Sequence, residues 1–398
     1  MRTQNPDFEL QTPDPEELKK VEPLLDLIET EMSNNGGRLS FNKFMELALY
    51  TPALGYYTGN NAIFGSQGDF VTAPELTPLF SRCIARQIQQ ILQGIPGEAD
   101  VLEFGAGAGT MATDILLELK SLNALPRHYY IVEISPMLQK RQREKISSYV
   151  PELMDKISWV TEIPEKFKGA VIGNEILDAI PTHRVRLNPD GNHQELFVTV
   201  EDNRFVWQAG EFSDPALQNY CDAIYEKHLQ DSSGAYETEI NLDSFKWIKQ
   251  VADALEEGVV LLIDYGYSDQ EFYRPEHREG TLMCHYKHLA HPDALLHVGL
   301  QDITSHVNFT QVAEAGFEQG MSVLGFTTQT YFLIGCGLEN LLAEIDIADT
   351  VQFLKETQPI KQLILPDEMG ELFKVIAFGK NFSQPLLGFM ANNQLERL

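Results

Sequence analysis

Apolar and polar residues follow one another along this chain in three rhythms, and the order of those rhythms predicts its architecture. Helical spacing runs through Leu24, Leu25, Leu27 and Ile28 within residues 22–32, and again through residues 39–50, where the Ser40 hydroxyl is placed to cap. Gly36-Gly37 separates the two stretches and Thr51-Pro52 ends the second, which makes a small helical cap. Residues 1–20, with Pro, Asp and Glu, read as a mobile arm ahead of it. Residues 55–77 contain Tyr56-Tyr57 and Gly68-Asp69-Phe70-Val71-Thr72-Ala73-Pro74-Glu75 and hold no period. A stretch of that length reads as a binding loop or lid, or as an ordered surface connection.

From residue 78 helical periods and short uninterrupted apolar runs take turns. Helix 78–92, strand 101–104, helix 111–119, strand 129–134, helix 136–146 and strands 157–160 and 170–173 come first. Helix 242–255, strand 259–264, helix 309–315, strand 321–326, helices 331–345 and 350–363 and strand 373–378 complete the series. Apolar runs without alternation are strands buried on both faces, so the pattern predicts a doubly wound α/β sheet. Between residues 182 and 208 the rhythm becomes strict alternation around Pro189-Asp190-Gly191 and Asp202-Asn203. That predicts an inserted antiparallel β subdomain, at about 182–240 once the acidic, helical or irregular excursion 212–234 is included. Residues 264–300 show little period. Arm, cap and lid occupy 1–95 in this division, and the sheet domain 96–398.

Composition changes this picture in few places. At 398 residues and 43% hydrophobic the chain can bury a large core. No apolar run reaches membrane-spanning length, and the acidic start is unlike a targeting peptide, so the expectation is a bacterial-type cytoplasm. Cys83, Cys221, Cys284 and Cys336 are scattered, as reduced structural thiols are. With 58 acidic and 30 basic residues the formal charge is −28, which disfavours nucleic acid. A basic protein or cationic substrate suits it, or the charge only serves solubility.

The chemistry concentrates where strands end. Glu103 closes an apolar run and leads into Gly105, Gly107 and Gly109; Glu133 follows at the end of the next strand, one β-α-β unit later. Glycines let backbone approach a ligand, and an acid on the second strand can bond ribose hydroxyls. A dinucleotide fingerprint requires glycine where Thr110 stands, and a carboxylate in the turn repels pyrophosphate but holds an ammonium. A ligand with ribose and an amino-acid ammonium but no phosphate is S-adenosylmethionine.

A second constellation, Gly173-Asn174-Glu175-Ile176-Leu177-Asp178-Ala179-Ile180-Pro181, follows the fourth strand. Asn174 and Glu175 there can position a cationic nucleophile and Asp178 can bind it or take a proton; alternatively Asn174 and Asp178 cap a turn. His285, His288 and His291, with His297 and His306 following, have a metal-like spacing, but no acid or cysteine completes a ligand set, so no metal is expected and they read as loop histidines that hydrogen-bond or meet substrate. In Gln301-Asp302-Ile303-Thr304, Asp302 or Thr304 can serve as a helix cap.

Four separated stretches, Gly68 to Glu75, Leu102 to Thr110, Gly173 to Pro181 and Gln301 to Phe309, together resemble one family, the MidA-like methyltransferases. Leu54-Gly55-Tyr56-Tyr57, Leu262-Ile263-Asp264-Tyr265-Gly266 and Gly280-Thr281-Leu282 support the resemblance, which runs from about residue 37 to 380. It implies a class I, Rossmann-like methyltransferase fold and transfer from S-adenosylmethionine to a protein arginine on a basic, arginine-presenting partner. On the resemblance, Gly105, Gly107 and Gly109 contact the cofactor and Glu133 its ribose. Asn174, Glu175 and Asp178 face the acceptor, and Gly68, Asp69, Thr72 and Glu75 belong to a lid. Thr51 stands where the family carries aspartate, and His297-Val298-Gly299 where it carries Asp-Pro-Gly. A methyltransferase for a small molecule, and a scaffold protein with a vestigial pocket, are the other readings. Oligomeric state leaves no trace in the sequence.

Overall fold

The computed structural model describes residues 12–59, 72–230, 232, 234–345 and 350–398. Its first helix, Pro15–Asn34, starts earlier than the apolar period suggests. Asp14 accepts from the Glu16 and Glu17 N–H groups while Glu17 returns a bond to the Asp14 N–H at 2.9 Å, so a reciprocal cap turns the end of the expected arm into helix. Strand β1, Arg38–Ser40, precedes helix Phe41–Tyr50, which Ser40 caps.

Strands β2 (Asp100–Phe104), β3 (Tyr129–Val132), β4 (Ile157–Val160) and β5 (Phe167–Asn174) follow, with helices Pro78–Gly94, Thr110–Ser121 and Pro136–Tyr149 among them. The insertion contributes β6 (His183–Leu187), β7 (Gln194–Glu201), β8 (Arg204–Gly210) and β9 (Tyr236–Ile240). Helix Leu242–Ala254 then leads into β10, Leu255–Tyr267. After it come β11 (Leu282–Tyr286), β12 (Leu289–His291), β13 (Asp302–Ser305) and β14 (Val307–Asn308). Helix Phe309–Glu318, β15 (Ser322–Thr328), three helices and β16 (Phe373–Lys380) close the chain.

The large sheet runs β15-β16-β10-β5-β2-β3-β4, with β14 added beside β10. Only β16 opposes its neighbours; the other pairings are parallel. This is the doubly wound sheet the apolar runs predict. The chain starts at β2, winds outward through β3 and β4, and returns to β5 on the other side of β2. The crevice where ligands bind in such sheets therefore opens at the carboxyl ends of β2 and β5.

The remaining strands form two other sheets, of which the three-stranded one borders that crevice. β1 pairs with β7 from Arg38↔Thr199 to Ser40↔Phe197, so the cap is zipped into the inserted sheet. Strand β9, which the excursion conceals, pairs with β6. Residues 264–300, featureless in sequence, contain β11 and β12, which form a three-stranded sheet with β13. Its alternation is short because Lys287 and His288, both at positive φ, turn the chain after five residues. Leu24, Ile28, Phe44 and Met45 of the cap share one core with Leu282, Cys284, Val298 and Ile303. The expected helix 331–345 is two, Gln329–Gly335 and Leu338–Ala343, broken at Gly337 with φ 86°.

Candidate active site

A cavity of about 850 Å³ lies at the switch point. Its floor at one end is the turn after β2, where Gly105, Gly107 and Gly109 have φ of 59°, 51° and 82°. These left-handed conformations strain any residue with a side chain. A Cβ on Gly105 would also stand 2.4 Å from Ile176 Cδ1, so the turn works only with glycine. Gly109 caps the Thr110–Ser121 helix, whose first N–H groups have no partner within the helix.

Glu103 is fully buried; its Oε2 accepts from the Tyr129 hydroxyl at 2.7 Å and Oε1 has no partner. Burial pushes its carboxyl up to about 7, against the Tyr129 hydrogen bond. Glu133 is held from both sides, by the Ser135 N–H at 2.9 Å and by Gln142 Nε2 at 3.0 Å. Gln142 also reaches the Gly107 carbonyl at 3.0 Å, so one amide ties the acid to the glycine turn. Burial raises Glu133 as well. Each carboxylate keeps lone pairs for a ligand. Thr72 and Glu75 line the rim, and Glu75 accepts from the Thr110 hydroxyl, with Lys145 beside both. Asp69 lies outside the described residues.

At the other end β5 stops at Asn174 and Glu175 takes φ 53°, a conformation costly for a side-chain-bearing residue and common at functional sites. Three interactions hold it: the Glu175 N–H bonds the Ile263 carbonyl at 2.8 Å, Asn174 Nδ2 bonds Glu175 Oε1 at 2.8 Å, and Asp264 Oδ2 accepts from the N–H groups of Ile176, Leu177 and Asp178. Asp264 is thus the residue that shapes the turn. The turn is more than a capped one, because Asn174, Glu175 and Asp178 all face the cavity.

Burial, reinforced by Asp178, pushes Glu175 up to about 8. Burial likewise raises Asp178 to about 6, and Asp178 Oδ1 has no partner. Tyr50, Tyr57, Tyr265, His285, Asp302 and His306 complete this end. Of these, the sequence marks His285 and His306 as loop histidines that hydrogen-bond or meet substrate and Asp302 only as a cap, while Tyr50, Tyr57 and Tyr265 carry no assignment; Tyr56-Tyr57 beside the lid was the visible clue to the cap's part. His288 and His291 do not line the cavity, and among the described residues no group of His, Cys, Asp or Glu could hold a metal ion. His306 donates from Nδ1 to the Thr281 carbonyl at 3.0 Å, and burial drives its ring down to about 4, so it is neutral at physiological pH.

Around the whole cavity stand eight carboxyl side chains, of Glu75, Glu103, Glu133, Glu175, Asp178, Asp302, Asp367 and Glu368. Among the described residues no lysine or arginine lines it. A wall of that charge repels phosphate and attracts cations.

A sequence profile for S-adenosyl-L-methionine-dependent methyltransferases matches residues 83–327. Among solved structures, a candidate methyl transferase from Burkholderia thailandensis, bound to S-adenosyl-homocysteine, is 38% identical with a TM-score of 0.92, covering 98% of this chain and 100% of its own. The mitochondrial protein arginine methyltransferase NDUFAF7 homolog of Caenorhabditis elegans is 26% identical over 377 residues, 86% of this chain and 83% of its own. The human protein arginine methyltransferase NDUFAF7 is 25% identical over 375 residues, 86% of this chain and 80% of its own. No helix among the described residues is long and apolar enough to cross a membrane.

Proposed function

This chain belongs to the S-adenosyl-L-methionine-dependent methyltransferase family, and from that premise we propose that it methylates arginine side chains of a protein substrate. S-adenosylmethionine, when bound, supplies a methyl group carried on a positively charged sulfur. The cavity suits it: the glycine turn leaves room for it, and the buried, half-partnered Glu103 calls for an ammonium. Glu133 has lone pairs for ribose hydroxyls, and the open N–H groups of the Thr110–Ser121 helix suit a carboxylate. Thr72 and Glu75 stand at the rim beside it.

The observation that carries the acceptor class is the carboxyl-lined wall, which among the described residues has no lysine or arginine. Glu175 and Asp178, held partly neutral by burial, gain most when a cation enters, because it restores their charged forms. Asn174 fixes the Glu175 carboxylate, which in turn orients a guanidinium. Guanidinium keeps no free lone pair, so methyl transfer to it would form an N–C bond at the expense of one N–H bond and of the S–C bond, whose electron pair would stay with the cofactor's sulfur. Glu175, returned to its charged form by the bound cation, is placed to take that proton. The relatives named as protein arginine methyltransferases support the same acceptor.

The test is transfer of labelled methyl from S-adenosylmethionine to matched peptides bearing arginine, lysine or neither. Label on the arginine peptide alone is the expected result. Label on lysine alone, or only on small molecules of a cell extract, would refute the assignment, and absence of turnover with bound cofactor would favour a scaffold.

A further inference from the structure

The roles given so far leave one buried carboxyl of the acceptor end unused. Asp302 opens β13, on the small three-stranded sheet rather than the large one, and is 3% exposed at the cavity wall. Its Oδ1 accepts from the Tyr57 hydroxyl at 2.7 Å. Tyr57 belongs to the cap; its ring stacks on Tyr50 with centroids 5.5 Å apart, and the Tyr50 hydroxyl donates to the Ala179 carbonyl at 2.9 Å. At its far end β13 is fastened to the acceptor turn, where the Ser305 N–H bonds the Asp178 carbonyl at 3.0 Å. Asp178 and Asp302 therefore enter one chamber from two different sheets. Both line that chamber together with Glu175, Tyr50 and Tyr57.

Guanidinium and ammonium ask different things of such a chamber. Guanidinium spreads five N–H donors around a rigid plane, and a single carboxylate covers only one edge of it. Ammonium gathers three donors at one point, which one carboxylate serves well. Asp178 Oδ1, buried and without a protein partner, leaves an acceptor open to an incoming donor.

We propose that Asp302, oriented by Tyr57, is a second arm of the acceptor clamp, set against Asp178, and that it selects guanidinium over ammonium. The proposal rests on the arginine reading and adds to it the residue that decides between the two cationic side chains. Two supports placed on different sheets fix the plane of the acceptor; one support only attracts its charge.

The experiment uses the full chain loaded with S-adenosylhomocysteine and measures binding of Nα-acetyl-arginine amide and Nα-acetyl-lysine amide. The proteins are wild type, Asp302→Asn and Tyr57→Phe, with S-adenosylhomocysteine affinity as the check on folding. Asp302→Asn is expected to weaken the arginine amide about tenfold or more and the lysine amide about threefold or less. Tyr57→Phe, which keeps the carboxyl but removes its hydrogen bond, should lose about threefold on arginine alone. If Asp302→Asn fails the folding check, Tyr57→Phe decides. The proposal is overturned if wild type shows no preference for the arginine amide, or if the folded variants keep its wild-type preference. Arginine amide bound selectively by a protein that never methylates arginine would instead refute the transfer assignment and leave the clamp standing.

Discussion

At the cofactor end, Glu103, three glycines and Glu133 come from a single β-α-β unit, whereas the acceptor end draws on four distant parts of the chain. Tyr50 and Tyr57 arrive from the cap, Glu175 and Asp178 from the turn after β5, Tyr265 from β10 and Asp302 from β13. The first end needs backbone that comes close to a ligand, and that need is met by residue types in fixed order. The second needs charges set around a cation, and any segment the fold delivers to the chamber can supply them. One consequence is independence: the acceptor can be changed through the cap and the small sheet while the glycine turn stays as it is.

The largest expected effect tests the cofactor end. Gly105→Val forces a side chain into a left-handed residue and against Ile176, and S-adenosylmethionine affinity measured by calorimetry should fall about 100-fold or more. Near-normal binding would remove the distinction between the two ends. Glu175→Gln attacks the other end: kcat should drop about 100-fold with cofactor affinity within about threefold. A variant with full turnover would strip Glu175 of its part as base.

A pH series separates the ends by sign and by ligand. Burial raises Glu103 to about 7 and Glu175 to about 8, so the folded protein holds their protons more tightly than the unfolded chain does. Their contribution to stability is full below the unfolded carboxyl range and is lost as pH rises through about 7 and about 8. The melting temperature of the cofactor-free protein should fall across that window, Glu175→Gln should remove the upper part, and S-adenosylhomocysteine the lower. Acceptor binding should move the opposite way, strengthening as these carboxyls ionise. Smallest is Tyr50→Phe, which loses one hydrogen bond to the Ala179 carbonyl; urea unfolding should register about 1 kcal/mol while cofactor affinity is unchanged.

The same contrast explains what the sequence could and could not reveal. The winding of the large sheet and the Glu103-to-Glu133 unit are legible because buried parallel strands are apolar throughout and left-handed turns require glycine. The turn Asn174 to Asp178 was legible as a motif, yet its support by Asp264 was not, since nothing local couples two strand ends that meet only in the sheet. Asp302 read as a possible cap because its partner, Tyr57, is 245 positions away. β11 and β12 were missed because five- and three-residue strands joined by a tight turn leave too little alternation. β9 was hidden by the charged positions Glu237 and Glu239, which pair with Arg186 and Arg184 and not with solvent alone.

The shared core of the cap and the small sheet also fixes an order of events during synthesis. Leu24, Ile28 and Phe44 are translated early, but their partners Leu282, Cys284 and Ile303 emerge only after the whole of β2 to β10. Until then the first helix can pack on Phe41 and Phe44 of the second helix, but the half of this core that the small sheet supplies is missing. The strands of the cofactor end, β2 and β3, are therefore made before the small sheet that closes the acceptor chamber.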